Sequence, residues 1–215
     1  MNDPAHPDFD EHFRDGFETL LRWRRDVRQF LTDPLPDDLV EHLLDLACLA
    51  PSVGNSQPWR FVRVDRPETR AAVRAEVLRA NADAAGAQDD QRRAAYQALK
   101  LEGLDRAPVQ IAVFAVDDPD QGHGLGRRTM PETVAYSAVL AIHTLWLAAR
   151  AYDIGVGWVS ILDPAPVVAL LDVPDDWRFI GYLCIGRPAE LHEVPELERR
   201  GWQDRQSDCR QVLRR

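Results

Sequence analysis

The stretch "AYSAVLAIHTLWLAARAY", residues 135–152, constrains the fold most tightly, because a run this apolar must be hidden from water along much of its length. His143, Arg150 and small polar residues interrupt it, so it reads as a buried helix from about Glu132 to Tyr152 rather than a membrane span, with His143 a core histidine. Such a helix needs a layer to lie against, and the flanking sequence supplies strands. "WRFVRVD", from Trp59, alternates apolar and charged residues, and "PVQIAVFAVDD", from Pro108, is apolar throughout, like a strand buried on both faces. "YDIGVGWVSI" and "WRFIGYLCIG" add two more strands beyond the helix. Strands and helices do not alternate regularly, which implies an α+β architecture rather than a doubly wound sheet.

A chain of 215 residues, 45% hydrophobic and 28% charged, has the balance of a folded protein and suffices for one domain spanning 1–215, or for one half of an intertwined dimer. Between Phe9 and Trp23, the spacing of Phe13, Phe17, Leu20 and Leu21 predicts a first helix. A second opens after "DPLPDD" and runs through "LVEHLLDLACLA" to Pro51; "PAPVVALLDV" is a short helix, and a polar tail begins at about residue 188. Residues 67–106 are rich in Ala, Arg, Gln and Glu with a break at "GAQDDQ", giving two helices that form either a lid or an ordinary surface pair.

The acidic, proline-interrupted start "MNDPAHPDFDEHFRDGFETL" lacks the pattern of an export signal, so a cytoplasmic protein without membrane attachment is expected. Cys48, Cys184 and Cys209 are widely spaced, forming neither a zinc pattern nor a disulfide framework, and no metal is expected. A net charge of -9 leaves no electrostatic footprint for nucleic acid. "GHGLG" fails as a dinucleotide loop because Arg127 occupies the last glycine position.

Against that acidic background, "RWRRDVRQF" crowds Arg24, Arg25 and Arg28 around Asp26. Guanidinium groups so placed can grip a phosphate and hold the carboxylate near it, or can form a solvated knot of salt bridges. "APSVGNSQPW", residues 50–59, offers Ser52, Asn55 and Gln57 as neutral hydrogen-bonding groups and Gly54 for close backbone approach; it can line a planar polar ligand or simply turn from helix to strand.

Taken together, "RRDVRxF", "APSVGxxQPW", "KLEG", "GLGRRTMPET", "LWLAARAxxxGVGWVSI" and "PELExRGW" resemble the 5,6-dimethylbenzimidazole-forming branch of the nitroreductase superfamily, over about Arg24 to Trp202. Ordinary nitroreductases share "QPW" but commonly carry serine after the two arginines; Asp26 with "GRRTMPET" and "GWVS" marks the branch. The resemblance implies a nitroreductase-like fold, with a mixed, mostly antiparallel sheet wrapped by helices in an intertwined homodimer that holds FMN at its interface. It also implies that reduced FMN is a substrate, fragmented with O2 as co-substrate to 5,6-dimethylbenzimidazole and D-erythrose 4-phosphate, with a separate flavin reductase supplying it.

Carried onto this chain, the resemblance makes Arg24, Arg25, Asp26, Val27 and Arg28 a flavin-binding segment, and Ser52, Asn55 and Gln57 a contacting loop. Lys100 and Leu101 become lid contacts, Ser160 a neighbour of the ring system, and Arg200 a phosphate contact. Asp26 is the candidate acid/base for repeated proton transfer, and Ser160 a positioning hydrogen-bond donor to the flavin. The alternatives are an FMN-dependent NAD(P)H nitroreductase or quinone reductase that keeps its flavin, and a flavin-storage protein without catalysis.

Overall fold

The computed structural model describes residues 7–86, 102–206 and 208–215. Its centre is a sheet of four strands, β1 (Trp59–Arg63), β2 (Val109–Val116), β3 (Gly155–Val159) and β4 (Trp177–Gly186), in the order β1-β2-β4-β3 with every neighbouring pair antiparallel. All eight residues of β2 are buried, as its unbroken apolar run requires of a central strand.

Helices cover the sheet: α1 (Glu11–Trp23), α2 (Asp37–Ala47), α3 (Pro67–Gly86), the short α4 (Gly103–Arg106), α5 (Thr133–Ala151), α6 (Pro164–Leu171) and the short α7 (Glu196–Arg199). Asp10 caps α1, its carboxylate accepting from the Phe13 N–H at 2.8 Å. The second helix stops at Ala47, short of Pro51, because the chain turns through Cys48 and Leu49. Of the expected pair at 67–106, α3 and α4 are seen; the break and the second helix fall largely on residues 87–101, outside the described residues.

The apolar helix is α5, and it faces the sheet with Val134, Ala138, Ala141, Ile142, Leu145 and Ala149, all buried at helical spacing. Ile142, Leu145 and Ala149 share a core with Val40 and Leu43 of α2, Ile111 and Val113 of β2, and Leu183 and Ile185 of β4. His143, expected in the core, is instead exposed, on the side of the helix that carries Tyr136, Val139 and Leu140. A helix apolar on every side gives no periodic signal for which face turns inward, so the position of one polar residue was misread. The helix Thr133–Ala151 is long and apolar enough to cross a membrane by composition, yet it packs as a core element.

One irregular segment completes the frame. Residues 24–30, leaving α1, lie along the outer edge of β3: the Val27 N–H donates to the Val156 carbonyl at 3.1 Å, and Asp26 forms a parallel bridge with Val156. Farther along, Ala189 N–H donates to the Gln29 carbonyl at 3.0 Å and Leu31 N–H to that of Arg187 at 2.8 Å, while Phe30 is fully buried. Glycines in β3 allow this approach. A Cβ at Gly155 would fall 2.7 Å from Val27 Cγ2, and one at Gly157 would collide with the Val27 carbonyl oxygen.

Gly157→Ala should therefore lift the 24–30 segment from the sheet edge and destabilise the chain by about 1–3 kcal/mol, the usual cost of overpacking. Urea denaturation checks this; a midpoint equal to wild type would show that the segment yields freely.

Candidate active site

Docking of residues 24–30 on β3 builds a cleft. Asp26, Val27 and Arg28 form one wall; Gly157, Trp158, Val159, Ser160 and Ile161, at and beyond the end of β3, form another. Asn81 of α3, Gly103 and Leu104 of α4, and Cys184 of β4 close it. The lining is largely apolar, with the Asp26 carboxyl, the Ser160 hydroxyl, the Asn81 amide and the Arg28 guanidinium as its polar points. A flat, apolar ring with polar edges suits such walls.

Asp26 is fixed through both carboxylate oxygens. Oδ1 accepts from the Trp158 N–H at 2.9 Å, taking the sheet-edge donor that a further strand would have used, and Oδ2 accepts from Arg28 Nε at 3.2 Å. Burial nonetheless pushes its pKa up from the ordinary aspartate value, outweighing the lowering by the Trp158 N–H and Arg28. The protein encloses the group on most sides, while 38% of its side-chain surface stays accessible where the residue lines the cleft, so a ligand there would desolvate it further.

A second hollow adjoins the first and shares Asp26, Val27 and Arg28 with it. Arg25, Arg199, Arg200 and His192 give it a basic lining, moderated by Glu190 and Glu196. Arg28 Nε lies 3.9 Å from Glu196 Oε2, and Arg200 Nε lies 3.5 Å from Glu196 Oε1. Arg25 has structural partners as well: Nε and Nη2 donate to the Glu193 carbonyl, and Nη1 donates to that of Arg24 at 2.6 Å. Arg24 sits over the Trp146 ring, 5.0 Å from its centroid, and the Trp146 indole N–H donates to the Arg25 carbonyl at 3.0 Å. Arg24 is thus placed behind the segment, and it lines neither hollow.

The structure brings Asp26, Val27, Arg28 and Ser160 together in one cleft and places Arg25 and Arg200 in the hollow beside it. Ser52, Asn55 and Gln57 lie elsewhere, in the turn that precedes β1, at the sheet edge opposite β3. The Ser52 hydroxyl accepts from the Gln57 N–H at 3.0 Å, and Gln57 Nε2 donates to Asn55 Oδ1 at 3.2 Å. Gly54, Asn55 and Gln57 all have positive φ, a conformation that is costly for the latter two. Lys100 and Leu101 lie outside the described residues. Sequence reasoning gave no site role to Asn81, Leu104, Cys184 or Glu196; for the first three the signal is position on an element facing the cleft, and for Glu196 it is the "PELExRGW" motif.

In sequence, residues 21–187 match the nitroreductase family, and the chain belongs to it. More particularly, it is 60% identical over 199 residues to a 5,6-dimethylbenzimidazole synthase of Rhodospirillum rubrum, spanning 93% of this chain and 94% of that protein. A 5,6-dimethylbenzimidazole synthase of Rhodobacter capsulatus is 50% identical over 196 residues, covering 91% and 95% of the two chains. In three dimensions the fold matches oxidized iodotyrosine deiodinase bound to FMN and 3-iodo-L-tyrosine, with a TM-score of 0.72 at 21% identity over 92% of this chain and 97% of that one.

Because burial raises the folded-state pKa of Asp26, its contribution to stability is fully present below the unfolded-state value and is lost as pH rises through the folded-state value. Asp26→Asn should remove that loss. Denaturation midpoints measured from about pH 4 upward should fall less steeply for the variant than for wild type; parallel curves would refute the raised pKa.

Proposed function

We propose that this chain is a 5,6-dimethylbenzimidazole synthase, fragmenting reduced FMN with O2 to 5,6-dimethylbenzimidazole and D-erythrose 4-phosphate. The observation that carries the reading is the pair of adjoining hollows meeting at Asp26, Val27 and Arg28. The first suits a flat ring system, and the second, with Arg25, Arg28 and Arg200, suits a phosphorylated tail. FMN is one molecule with both parts, and the junction between them falls at Asp26. High identity to the two synthases along nearly the whole chain supports the same reading.

In this reading, reduced FMN supplies the electrons for O2 and is itself the carbon skeleton that is broken. Asp26 supplies proton transfer. Its raised pKa suits a carboxyl group that must take up and return protons, and its two hydrogen bonds fix where the proton can be exchanged. Ser160, just past the end of β3, lines the ring site, and in this reading its hydroxyl orients what binds there. Arg28 ties the phosphate hollow to Asp26 directly. Val27, Leu104, Val159 and Ile161 keep water from the ring site.

A second copy of the chain completes the site in this reading. Val139, Leu140 and Tyr136 leave an apolar stripe exposed on α5, and Ser52 shares a surface hollow with Tyr136 and Leu140 of that stripe. Phe9, Phe13, Phe17 and Leu21 leave another stripe on α1, in which no residue is buried. A partner covering these faces would carry its own Ser52, Asn55 and Gln57 toward the Asp26 cleft. The working protein is then a cytoplasmic homodimer, supplied with reduced flavin by a separate reductase.

Purified protein incubated with reduced FMN under air should form 5,6-dimethylbenzimidazole, detected by chromatography and mass. Asp26→Asn should slow formation by about 100-fold or more, the scale of a lost acid/base, and Ser160→Gly should slow it as well. Intact reoxidised FMN as the sole flavin product would sink the proposal, and turnover of nitro or quinone substrates with NAD(P)H would replace it.

A further inference from the structure

Glu196 stands outside the cleft yet reaches it through Arg28. It opens α7 in the C-terminal tail, and only 15% of its side-chain surface is exposed. Its two oxygens face two different guanidinium groups, Oε2 toward Arg28 at 3.9 Å and Oε1 toward Arg200 at 3.5 Å. Arg28, 20% exposed, turns the same Nε toward both Asp26 Oδ2 at 3.2 Å and Glu196 Oε2. The Nε hydrogen goes to Asp26, while Glu196, beyond hydrogen-bond reach at 3.9 Å, meets the same guanidinium group as a second negative charge.

We propose that Glu196 is a positioning residue for Asp26: by drawing on Arg28 from the side opposite the cleft, it limits how firmly that arginine can hold the Asp26 carboxylate. The inference rests on the reading of Asp26 as the acid/base. Full pairing with Arg28 would keep Asp26 ionised and make it a poor proton donor; no pairing would leave it free to rotate. Sharing Arg28 keeps the orienting contact while weakening its electrostatic hold.

The charged and titratable surroundings of Asp26 agree in direction. Arg28 on its own segment lowers its pKa, whereas Glu196 on α7 raises it. Cys184 on β4 is held neutral, its thiol pushed up to about 12 mainly by burial. From β3 comes the Trp158 N–H, from just past its end Ser160, from α3 Asn81, and from α4 the uncharged Gly103 and Leu104. Arg25, Arg199, Arg200, His192 and Glu190 face it across the basic hollow. Among the described residues, Glu196 is the carboxylate that shares Arg28 with Asp26.

The test is the carboxyl carbon titration of Asp26, followed by NMR in the full-length protein as purified, with Glu196→Gln, Glu196→Asp and Glu198→Gln beside wild type. Glu196→Gln should bring the Asp26 midpoint down, as Arg28 turns wholly to it. Glu196→Asp, which keeps the charge but retracts it, should shift the midpoint by less, and Glu198→Gln on the same short helix should leave it in place. An Asp26 midpoint that stays put or rises in Glu196→Gln overturns the proposal. The rate of flavin fragmentation against pH gives the second readout, its Asp26-dependent limb moving with the NMR midpoint. If the midpoint moves but wild type forms no 5,6-dimethylbenzimidazole, the synthase reading fails and the coupling stands; product without a moved midpoint means the reverse.

Discussion

Everything at the candidate site depends on the docking of residues 24–30 along the free edge of β3. An edge strand exposes donors and acceptors that must be satisfied, and here they are met by an irregular segment rather than another strand. The Val27 N–H satisfies the Val156 carbonyl, and the Asp26 side chain, not its backbone, takes the Trp158 N–H. That substitution has two results. A carboxylate is pinned at the rim of the sheet, and the backbone beyond it is released from strand geometry, so Arg28 can fold back onto Asp26.

The same docking explains why so much of the surrounding chain is small. Gly155 and Gly157 leave room for Val27, and Gly181 of β4 leaves room for the Trp158 indole, which a Cβ there would strike. Gly186 makes space for Pro108 and Phe30, and Phe30 fills the core shared with Leu104, Phe114 and Cys184. The cleft is therefore bounded by elements that cannot shift independently. Moving β3 moves Asp26 and Ser160 together, which favours a fixed separation between the proposed acid/base and the proposed positioning hydroxyl.

Local chemistry made part of this legible in the sequence. The four strands and the core helix follow from apolar runs and alternation, and the α+β arrangement follows from their irregular order, while the antiparallel sheet was implied by the family resemblance. Asp26 stands out in the sequence because a carboxylate among arginines in an acidic chain is unusual, and the structure sets it in the wall of the cleft. The division of labour among those arginines was not visible, since it depends on what lies across the segment: the Glu193 carbonyl for Arg25, the Trp146 ring for Arg24, Asp26 and Glu196 for Arg28. These partners are more than a hundred residues away in most cases, and no spacing rule connects them. The turn at Ser52, Asn55 and Gln57 was legible as polar and strained, but which site it serves is a matter of the assembly rather than of one chain.

Under the proposed function, the arrangement also resolves a conflict in what a flavin-fragmenting site needs from its arginines. A phosphate tail calls for strong positive charge beside the ring, yet strong positive charge would keep a neighbouring carboxyl ionised and unable to return a proton. Arg24 and Arg25 are held by a ring face and by carbonyls, which orient them without cancelling their charge, so the basic field persists. Arg28 alone touches Asp26, and Glu196 tempers it at that single contact. Charge is thus supplied broadly and restrained locally. A phosphate drawing Arg28 or Arg200 toward itself would further loosen the grip on Asp26, so tail binding and acid strength are linked through the same guanidinium group.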